Sequence, residues 1–370
     1  MDALTTPSNW QRVRLGDILT LKHGRDYKKF KLGNIPVYGS GGYMLSINNF
    51  LHNGESVCIG RKGTIDKPIY LNGKFWVVDT LFYSYSFKKS IPKFIFYAFS
   101  IIKWSNYNEA TGVPSLTKMT ISNIEIPLPP LNEQAAIADV LSDVDRYLYN
   151  LDALILKKES VKKALSFELL SQRKRLKGFN QAWQRVRLGD IGKPCMCKRV
   201  MKHQTTRYGE IPFYKIGTFG NTADAFISKK LFLEYKTKYS FPKKGDILIS
   251  ASGTIGRAVI YDGKPAYFQD SNIVWIDNDE TLVKNDFLFY AYSNVKWNTE
   301  HTTILRLYND NFRNTLIPLP PLNEQSAIAN ILSDVDSEII SLKNKKRQFE
   351  NIKKALNHDL MSAKIRVLKK

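Results

Sequence analysis

Nine consecutive residues occur twice in this chain. Ile126 to Gln134 reads I-P-L-P-P-L-N-E-Q, and Ile317 to Gln325 reads the same nine letters. The match continues as A-A-I-A-D-V-L-S-D-V-D against S-A-I-A-N-I-L-S-D-V-D, at a constant offset of 317 − 126 = 191 residues. This period far exceeds the 20–50 residues of stacked repeats. The sequence therefore predicts one duplicated unit rather than a solenoid.

Each copy also opens alike, with W-Q-R-V-R-L-G-D-I at Trp10 and again at Trp183. We interpret this opening as a strand through Val13, Leu15 and Ile18. Short aromatic and β-branched runs follow, separated by glycines, and they predict strands joined by turns. A helix is then predicted to end at Trp104, with a counterpart at Trp297. Each insert is thus a mixed α and β domain.

A long helix is predicted after each Pro-rich step. Proline disfavours helix at the residue before it, so I-P-L-P-P-L is extended, and Asn132 or Asn323 is predicted to cap the helix that follows. Apolar residues then recur at heptad-like spacing, which predicts two helices packed as an antiparallel coiled coil. The predicted seam consists of Leu141, Val144, Leu148, Leu151 and Ile155, continued by Val161, Leu165 and Leu169, and of Leu332, Val335, Ile339, Leu342 and Phe349, continued by Ile352, Leu356 and Leu360.

The two seams differ at two aligned positions. Ile155 aligns with Lys346, and Lys158 aligns with Phe349. One interpretation is that unlike helices have a single preferred register. The other is that a surface lysine extends its charged end into water along an apolar stem. The sequence leaves both open.

The chain is strongly basic, with 55 Lys and Arg against 34 Asp and Glu, a net charge of +21. Residues 1–130 hold 16 basic and 8 acidic residues, and residues 179–321 hold 20 and 13. Excess charge in folded inserts predicts a polyanionic partner, and nucleic acid fits better than a membrane because no basic amphipathic helix is present. Three cysteines form no disulfide framework, and no secretion signal is evident, which predicts a cytoplasmic location.

L-P-P-L-N-E-Q followed by a long heptad helix, present twice between two basic variable inserts, resembles the specificity subunit of type I restriction–modification systems. The resemblance covers essentially the whole chain. It implies an α+β fold with a pseudo-two-fold internal repeat, in which two similar mixed α/β target recognition domains are separated by two long helices packed as an antiparallel coiled coil. The implied segments are recognition domain 1 (1–130), the first spacer helix (131–178), recognition domain 2 (179–321) and the second spacer helix (322–370).

The resemblance also implies partners. Each recognition domain would read one half of an asymmetric bipartite site in double-stranded DNA, and the helices would bind methyltransferase subunits, expected to be two. A motor-nuclease (restriction) subunit would join them. S-adenosylmethionine and ATP would then be bound by partner subunits, with no cofactor, metal or catalytic residue on this chain and no membrane contact.

The residues agree with a non-catalytic chain. There is no D/N-P-P-Y/F adenine-methylation motif and no G-x-x-x-x-G-K-S/T phosphate loop. The five histidines are scattered without metal-ligand spacing, and no Ser/His/Asp set stands out. Three alternatives stay open: a stand-alone sequence-specific DNA-binding protein, an enzyme with unrecognised motifs, and a purely structural coiled coil, which the charge disfavours.

Residues for DNA contact are predicted where the two inserts align but differ in chemistry. Base edges are read by Arg, Lys, Asn and Gln, while glycine turns and basic loops approach phosphates. A plain hairpin turn at Gly63 and Gly253 and a solvated basic surface are the competing interpretations. The candidates are Arg25, Lys28, Lys29, Lys31, Tyr38, Ser40, Tyr43, Arg61, Lys62, Thr64, Ser115 and Lys118 in the first insert, and Lys198, Arg199, Lys202, Lys215, Ser252, Thr254, Arg257, Gln269, Asn272, Arg306, Tyr308, Asn311 and Arg313 in the second.

Overall fold

The computed structural model describes residues 7–301 and 305–367 of the 370-residue chain. The chain forms two compact units. Unit 1 comprises residues 1–153 and 343–370, and unit 2 comprises residues 154–342. Each unit thus contains one of the inserts together with part of each long helix.

The first domain, in unit 1, combines two four-stranded sheets with short helices. The sheets have the strand orders β2-β9-β6-β7 and β4-β3-β8-β5, and β1 pairs with β10. The elements are β1 (Gln11–Arg14), α1 (Leu15–Ile18), β2 (Thr20–His23), β3 (Leu32–Gly39), β4 (Gly42–Ile47), β5 (His52–Asn53), β6 (Ser56–Gly60), β7 (Ile69–Leu71), β8 (Lys74–Val77), β9 (Leu81–Tyr85), α2 (Pro92–Ile101), α3 (Lys118–Asn123), β10 (Glu125–Leu128) and then the long helix α4 (Leu131–Leu170).

The second domain, in unit 2, repeats this plan with a less regular sheet. A four-stranded sheet has the order β12-β18-β15-β16, a three-stranded sheet the order β14-β13-β17, and β11 pairs with β21. The elements are β11 (Gln184–Arg187), α5 (Leu188–Ile191), β12 (Gly192–Met196), β13 (Ile211–Tyr214), β14 (Phe226–Ile227), α6 (Lys229–Lys238), β15 (Ile247–Ser250), β16 (Ala258–Ile260), β17 (Tyr267–Phe268), β18 (Ile273–Asn278), α7 (Asn285–Ala291), β19 (Glu300–His301), β20 (Leu305–Arg306), α8 (Asn309–Asn314), β21 (Leu316–Leu319) and the long helix α9 (Leu322–Met361).

The opening strand is shorter than predicted. It ends at Arg14, where β1 pairs antiparallel with β10, and Leu15–Ile18 form a helical turn. Leu15 and Ile18 are both buried. Residues three apart share one side of a helix but point to opposite faces of a strand, so the turn buries both side chains.

The helices predicted to end at Trp104 and Trp297 also stop earlier. Helix α2 ends at Ile101, and Trp104 lies in a 3-10 turn, where its indole donates to the Phe99 carbonyl at 2.9 Å. In the second domain α7 ends at Ala291. Trp297 packs instead beside Tyr292, with ring centroids 5.5 Å apart. Neither indole lies on its helix, because Trp104 is in a 3-10 turn and Trp297 follows the 3-10 turn Tyr292–Asn294.

The long helices α4 and α9 have 40 residues each, about 60 Å of helix. They begin at leucine, so Asn132 and Asn323 lie inside the first turn and not at the cap position predicted for them. The Asn323 side chain nevertheless accepts from the Glu324 amide at 2.9 Å, as a capping side chain would. The amides of Glu133 and Gln134 both donate to the Pro130 carbonyl, at 3.0 and 2.9 Å, so the helical hydrogen bonding starts from the proline.

In unit 1 the first part of α4 runs antiparallel to the last part of α9. Lys346 pairs with Asp152 at 2.6 Å, and Lys353 pairs with Asp145, so numbers rise on one helix as they fall on the other. Between these ion pairs the Tyr147 ring packs against Phe349, with centroids 4.5 Å apart.

Unit 2 contains the corresponding contacts. Lys162 pairs with Asp336 at 2.6 Å, and Lys158 pairs with Glu338 at 2.7 Å. The order is again antiparallel. Both lysines that interrupt the predicted seams, Lys158 and Lys346, therefore have carboxylate partners on the other helix. This favours a preferred register over lysines that only extend into water.

The predicted seam residues differ in burial. Leu141, Leu151, Ile155, Leu332 and Ile339 are buried, and Val144, Leu148, Val335, Leu342 and Phe349 are half-buried. The prediction is wrong for Val161 and Ile352, which are 46% and 51% exposed. Six residues separate Val161 from Ile155, a helical rotation of about 600°, which turns it roughly 120° away from the seam. Ile352 occupies the same place in the second copy.

Candidate nucleic-acid interface

The repeated N-E-Q letters hold each domain to its helix through a buried carboxylate. Glu133 is 2% exposed and accepts hydrogen bonds from the Trp10 indole at 3.1 Å and from Arg366 Nη2 at 2.8 Å. Three distant parts of the chain meet at this carboxylate: the start of the domain, the start of α4 and the segment after α9.

Unit 2 has the same arrangement. Glu324 is 1% exposed and accepts from the Trp183 indole at 2.9 Å and from Arg175 Nη2 at 2.6 Å. Arg175 follows α4 as Arg366 follows α9. Sequence reasoning missed these residues, although the identity of W-Q-R and N-E-Q in both copies was a signal for them.

The glutamine that follows each glutamate completes the junction. Gln134 accepts from the Ile91 amide at 2.9 Å and donates to the carbonyls of Lys89 and Pro129 at 3.0 and 2.7 Å. Gln325 makes the matching contacts to Lys284, Leu282 and Pro320, at 2.9, 3.0 and 2.8 Å. A buried amide with all its partners is rigid, so the domain has a defined orientation on the helix start.

A tyrosine in each domain makes a further contact with the helices. The Tyr97 hydroxyl donates to Asp145 at 2.7 Å, and Lys353 lies 5.8 Å from the ring centroid. Tyr290 donates to Asp336 at 2.9 Å, with Lys162 at the same distance of 5.8 Å. Burial, aided by the aspartate, raises the pKa of both tyrosines, so they remain protonated donors.

In the first domain many of the predicted DNA-contact residues line two neighbouring clefts. One cleft is lined by residues 26–28, 39–44 and 78–80, which include Lys28, Ser40 and Tyr43. The other is lined by Arg61, Lys62 and residues 115–119, which include Ser115 and Lys118. The structure thus brings together seven candidates from four segments of sequence.

Hydrogen bonds involving side chains hold the lining of the two clefts together. The Arg61 guanidinium donates to the Asp79 carbonyl at 3.0 Å, and the Ser40 amide donates to Thr80 Oγ1 at 3.3 Å. Lys62 and Ser115 form an isolated antiparallel bridge beside this point. The turn that begins at Arg61 is therefore held beside the segments that contain Asp79 and Ser115. A plain exposed hairpin turn would not need these contacts.

In the second domain the equivalent turn meets two other candidates. Ser252 bridges Arg306 in the antiparallel sense. Ser252 Oγ donates to Asn272 Oδ1 at 2.8 Å, and Arg306 Nη2 donates to the same oxygen at 3.3 Å. Gln269, three residues before Asn272, accepts from the Ile216 amide at 3.0 Å. Ser252, Asn272 and Arg306 thus form one cluster from three separate segments.

Other basic candidates of the second domain have partners within the domain. Arg199 pairs with Asp270 at 2.8 Å, so Asp270 holds a side chain that was itself predicted to contact DNA. Lys215 pairs with Asp224 at 2.8 Å, and Arg257 donates to the Phe219 carbonyl at 2.9 Å. Lys198 lies 5.1 Å from the Tyr239 ring centroid. These contacts order the loops that carry the charges.

The remaining candidates lie outside these clusters. Arg25 and Tyr38 lie near the first cleft, with the Arg25 carbonyl accepting from Trp76 at 2.7 Å and the Tyr38 ring 6.0 Å from Tyr43. Arg313, on α8, lies beside α5, with its Cβ 3.2 Å from where a side chain on Gly189 would begin. The others are placed as follows: Lys29 over the Phe30 ring, Lys31 exposed before β3, Thr64 and Thr254 in the glycine turns, Lys202 in a 3-10 turn, Tyr308 just before α8, and Asn311 on α8.

Two features are absent from residues 7–301 and 305–367. None of the helices there is long and apolar enough to cross a membrane. No three His, Cys, Asp or Glu side chains there are grouped as metal ligands. Burial also raises the pKa of the Cys58 and Cys197 thiols to about 12. These two thiols therefore stay protonated, and a protonated thiol is a poor metal ligand.

Comparison with known proteins gives a consistent result. The family model described as "Type I restriction modification DNA specificity domain" matches residues 7–158 and 180–351. A Haemophilus influenzae protein named as a type I restriction enzyme specificity subunit is 42% identical over 82% of this chain and 81% of its own. The MjaVIII specificity subunit of Methanocaldococcus jannaschii is 27% identical over 99% of this chain and 95% of its own.

Solved structures agree on the fold. The crystal structure of the S subunit from M. genitalium superposes with a TM-score of 0.65 at 17% identity, covering 97% of both chains. A structure described under complex assembly of the type I R-M system gives 0.56 at 16% identity, covering 96% of this chain and 98% of that one. The predicted repeat of two mixed domains with two long helices is thereby confirmed.

Proposed function

Because this chain belongs to the type I restriction–modification DNA specificity family, and is a specificity subunit with two DNA recognition domains, we propose that each domain reads a different half of a bipartite site in double-stranded DNA. The observation that carries the proposal is that the two domains share a backbone arrangement but have different side chains at equivalent positions. Lys62 and Ser115 in the first domain occupy the bridge that Ser252 and Arg306 occupy in the second. Different side chains at equivalent positions favour two unlike half-sites over a palindrome.

The charge supports this proposal. Each insert carries an excess of basic residues, and the phosphate backbone accounts for most of the affinity of a DNA-binding protein. In the first domain Lys28, Arg61, Lys62 and Lys118 line the two clefts. We assign phosphate positioning to the exposed lysines, and base reading to residues that other side chains hold in place.

We further propose that the long helices bind two methyltransferase subunits, one at each unit. Unit 1 exposes Tyr149 on α4 and Ile352 on α9, and unit 2 exposes their counterparts, Ile340 on α9 and Val161 on α4. Large apolar side chains exposed at equivalent places in both copies are what a repeated docking surface requires. A motor-nuclease subunit would join this assembly.

Catalysis is assigned to those partners. S-adenosylmethionine would be bound by the methyltransferase subunits and ATP by the motor-nuclease subunit, and this chain would supply sequence recognition alone. Supporting this division, the clefts in the first domain include basic and hydroxyl groups suited to DNA contact.

The test of function is single-molecule sequencing of adenine methylation in cells that express the cognate methyltransferase subunit, with and without this chain. We expect methylation at one asymmetric two-part motif only when this chain is present. Absence of chain-dependent methylation, with both proteins folded and co-purifying, would contradict the proposal and favour a stand-alone DNA-binding protein.

The docking proposal has its own test. Tyr149→Asp with Ile352→Asp should reduce methyltransferase binding from two subunits to one, as measured by the mass of the purified complex. The matched pair Ile340→Asp with Val161→Asp should do the same, and Tyr208→Asp, an exposed aromatic in the second domain, should leave two subunits bound. Two bound subunits in every variant would refute these surfaces as the docking sites.

A further inference from the structure

Three side chains in the second domain have a donor and acceptor arrangement that selects one kind of base edge. Ser252 follows β15, Asn272 precedes β18 and Arg306 lies on β20. Ser252 Oγ and Arg306 Nη2 both donate to Asn272 Oδ1, at 2.8 and 3.3 Å. One amide oxygen thus connects the other two side chains.

The orientation of the Asn272 amide follows from its neighbour. A guanidinium donates and never accepts, so the Asn272 atom that faces Arg306 is the oxygen and not the nitrogen. That oxygen has two lone pairs, and the two contacts use both. The Asn272 Nδ2 group makes no hydrogen bond to the residues that the structure describes. Asn272 and Arg306 therefore present only N–H donors, whereas Ser252 Oγ, which donates its proton to Asn272, keeps acceptor lone pairs.

We propose that Ser252, Asn272 and Arg306, termed the second-domain trio, read a guanine in the half-site of the second domain; this rests on the proposed function. In the major groove guanine presents two acceptors, O6 and N7, which suit the N–H donors of Asn272 and Arg306. An asparagine that reads adenine must accept from the N6 amino group, and the Asn272 oxygen is already occupied. The trio therefore disfavours the adenine pairing that asparagine usually makes.

The first domain holds other side chains at the equivalent positions. The Arg61 amide donates to the Thr80 carbonyl at 2.8 Å, just as the Ala251 amide donates to the Asn272 carbonyl at 2.8 Å. Together with the bridge of Lys62 to Ser115, this makes Lys62, Thr80 and Ser115 the first-domain counterpart. This first-domain set contains neither an arginine nor a side-chain amide, so it serves as the internal control.

The experiment uses the full chain with its methyltransferase subunits and sequences methylated sites genome-wide. Arg306→Ala should relax one position of one half-site, which is guanine in the parent motif, with discrimination lost by roughly 5- to 150-fold, the range for one bidentate pair. Arg306→Gln should shift the preference at that position from guanine towards adenine, because an amide both donates and accepts. A misfolded variant cannot produce such a shift.

Two control variants accompany these. Lys62→Ala should alter only the other half-site, and Lys264→Ala, an exposed lysine beside Asp262, should alter no position. Retained guanine preference at every position in Arg306→Ala, or a parent half-site without guanine, would overturn the trio assignment while leaving the proposed function intact. A parent chain that directs no motif would instead overturn the proposed function.

Discussion

Removing the buried carboxylate of Glu133 should destabilise unit 1 far more than removing an exposed one. Glu133 is 2% exposed and accepts from both Trp10 and Arg366. Glu133→Ala removes the acceptor of the Trp10 indole N–H and leaves the Arg366 guanidinium with its 3.4 Å contact to Asn9 Oδ1. Breaking a buried ion pair from one side costs about 3–5 kcal/mol. The Arg366 side chain is 27% exposed, so water can partly replace the lost partner, and we expect a value near the lower end, about 3 kcal/mol.

The assay is hydrogen exchange followed by mass spectrometry, which reports the free energy of opening segment by segment. Amides of β1 and of the first turns of α4 should lose about 3 kcal/mol of protection in Glu133→Ala. The matched control is Glu125→Ala, whose exposed carboxylate lies 4.0 Å from Arg12 and Arg14 and should matter by less than about 1 kcal/mol.

A double-mutant cycle completes the test. Arg366→Ala alone leaves the Glu133 charge buried, whereas the double variant removes both charges. The double variant should therefore cost clearly less than the sum of the two single variants. Equal effects of Glu133→Ala and Glu125→Ala, or strict additivity in the cycle, would refute the role of this carboxylate as the anchor of the domain.

Three further outcomes are expected. Leu332→Ala should cost about 2–5 kcal/mol in urea denaturation because the side chain is fully buried, whereas Val161→Ala should stay within about 0.5 kcal/mol; equal costs would contradict the seam as observed. The raised pKa of Tyr290 keeps its proton in the folded state, so stability should be full below about pH 10 and fall as pH rises further, less steeply in Tyr290→Phe; identical slopes would count against this. Cys58 and Cys197, with pKa values of about 12, should resist iodoacetamide at pH 8 until the protein is denatured, as mass spectrometry can check.

The long helices could be predicted from sequence because burial at every third or fourth residue leaves a periodic record. The anchoring glutamate could not. A carboxylate in the first turn of a helix is usually a solvated charge that favours the helix dipole. The partners of Glu133 are Trp10 and Arg366, which are 123 and 233 residues away in sequence. No local pattern connects them, and only the repetition of the letters in both copies hinted at a shared role.

The sequence suggested which residue types would make up the candidate interface, but not how they are arranged. Ser252, Asn272 and Arg306 were predicted separately, at places where the two inserts align but differ in chemistry. They come from three segments that meet only in the fold. Alignment by letters pairs Asp79 with Asp270. The backbone contacts pair Thr80 with Asn272, because the second domain has an additional residue, Ser271, at φ 59°. One inserted residue shifts which side chain reaches the cluster.

The paired helices also show how the two copies of the repeat have diverged in sequence. At one place in the helix pairing unit 1 has Tyr147 against Phe349, and unit 2 has Glu338 against Lys158. These are equivalent sites, since 147 + 191 = 338 and 158 + 191 = 349. Two copies of the second half would place Glu338 beside Phe349, and two copies of the first would place Tyr147 beside Lys158. Pairing two copies of the same half would therefore lose both the Lys158–Glu338 ion pair and the Tyr147–Phe349 aromatic contact. The two halves of the pairing have therefore diverged into complementary sequences that are no longer interchangeable at this place.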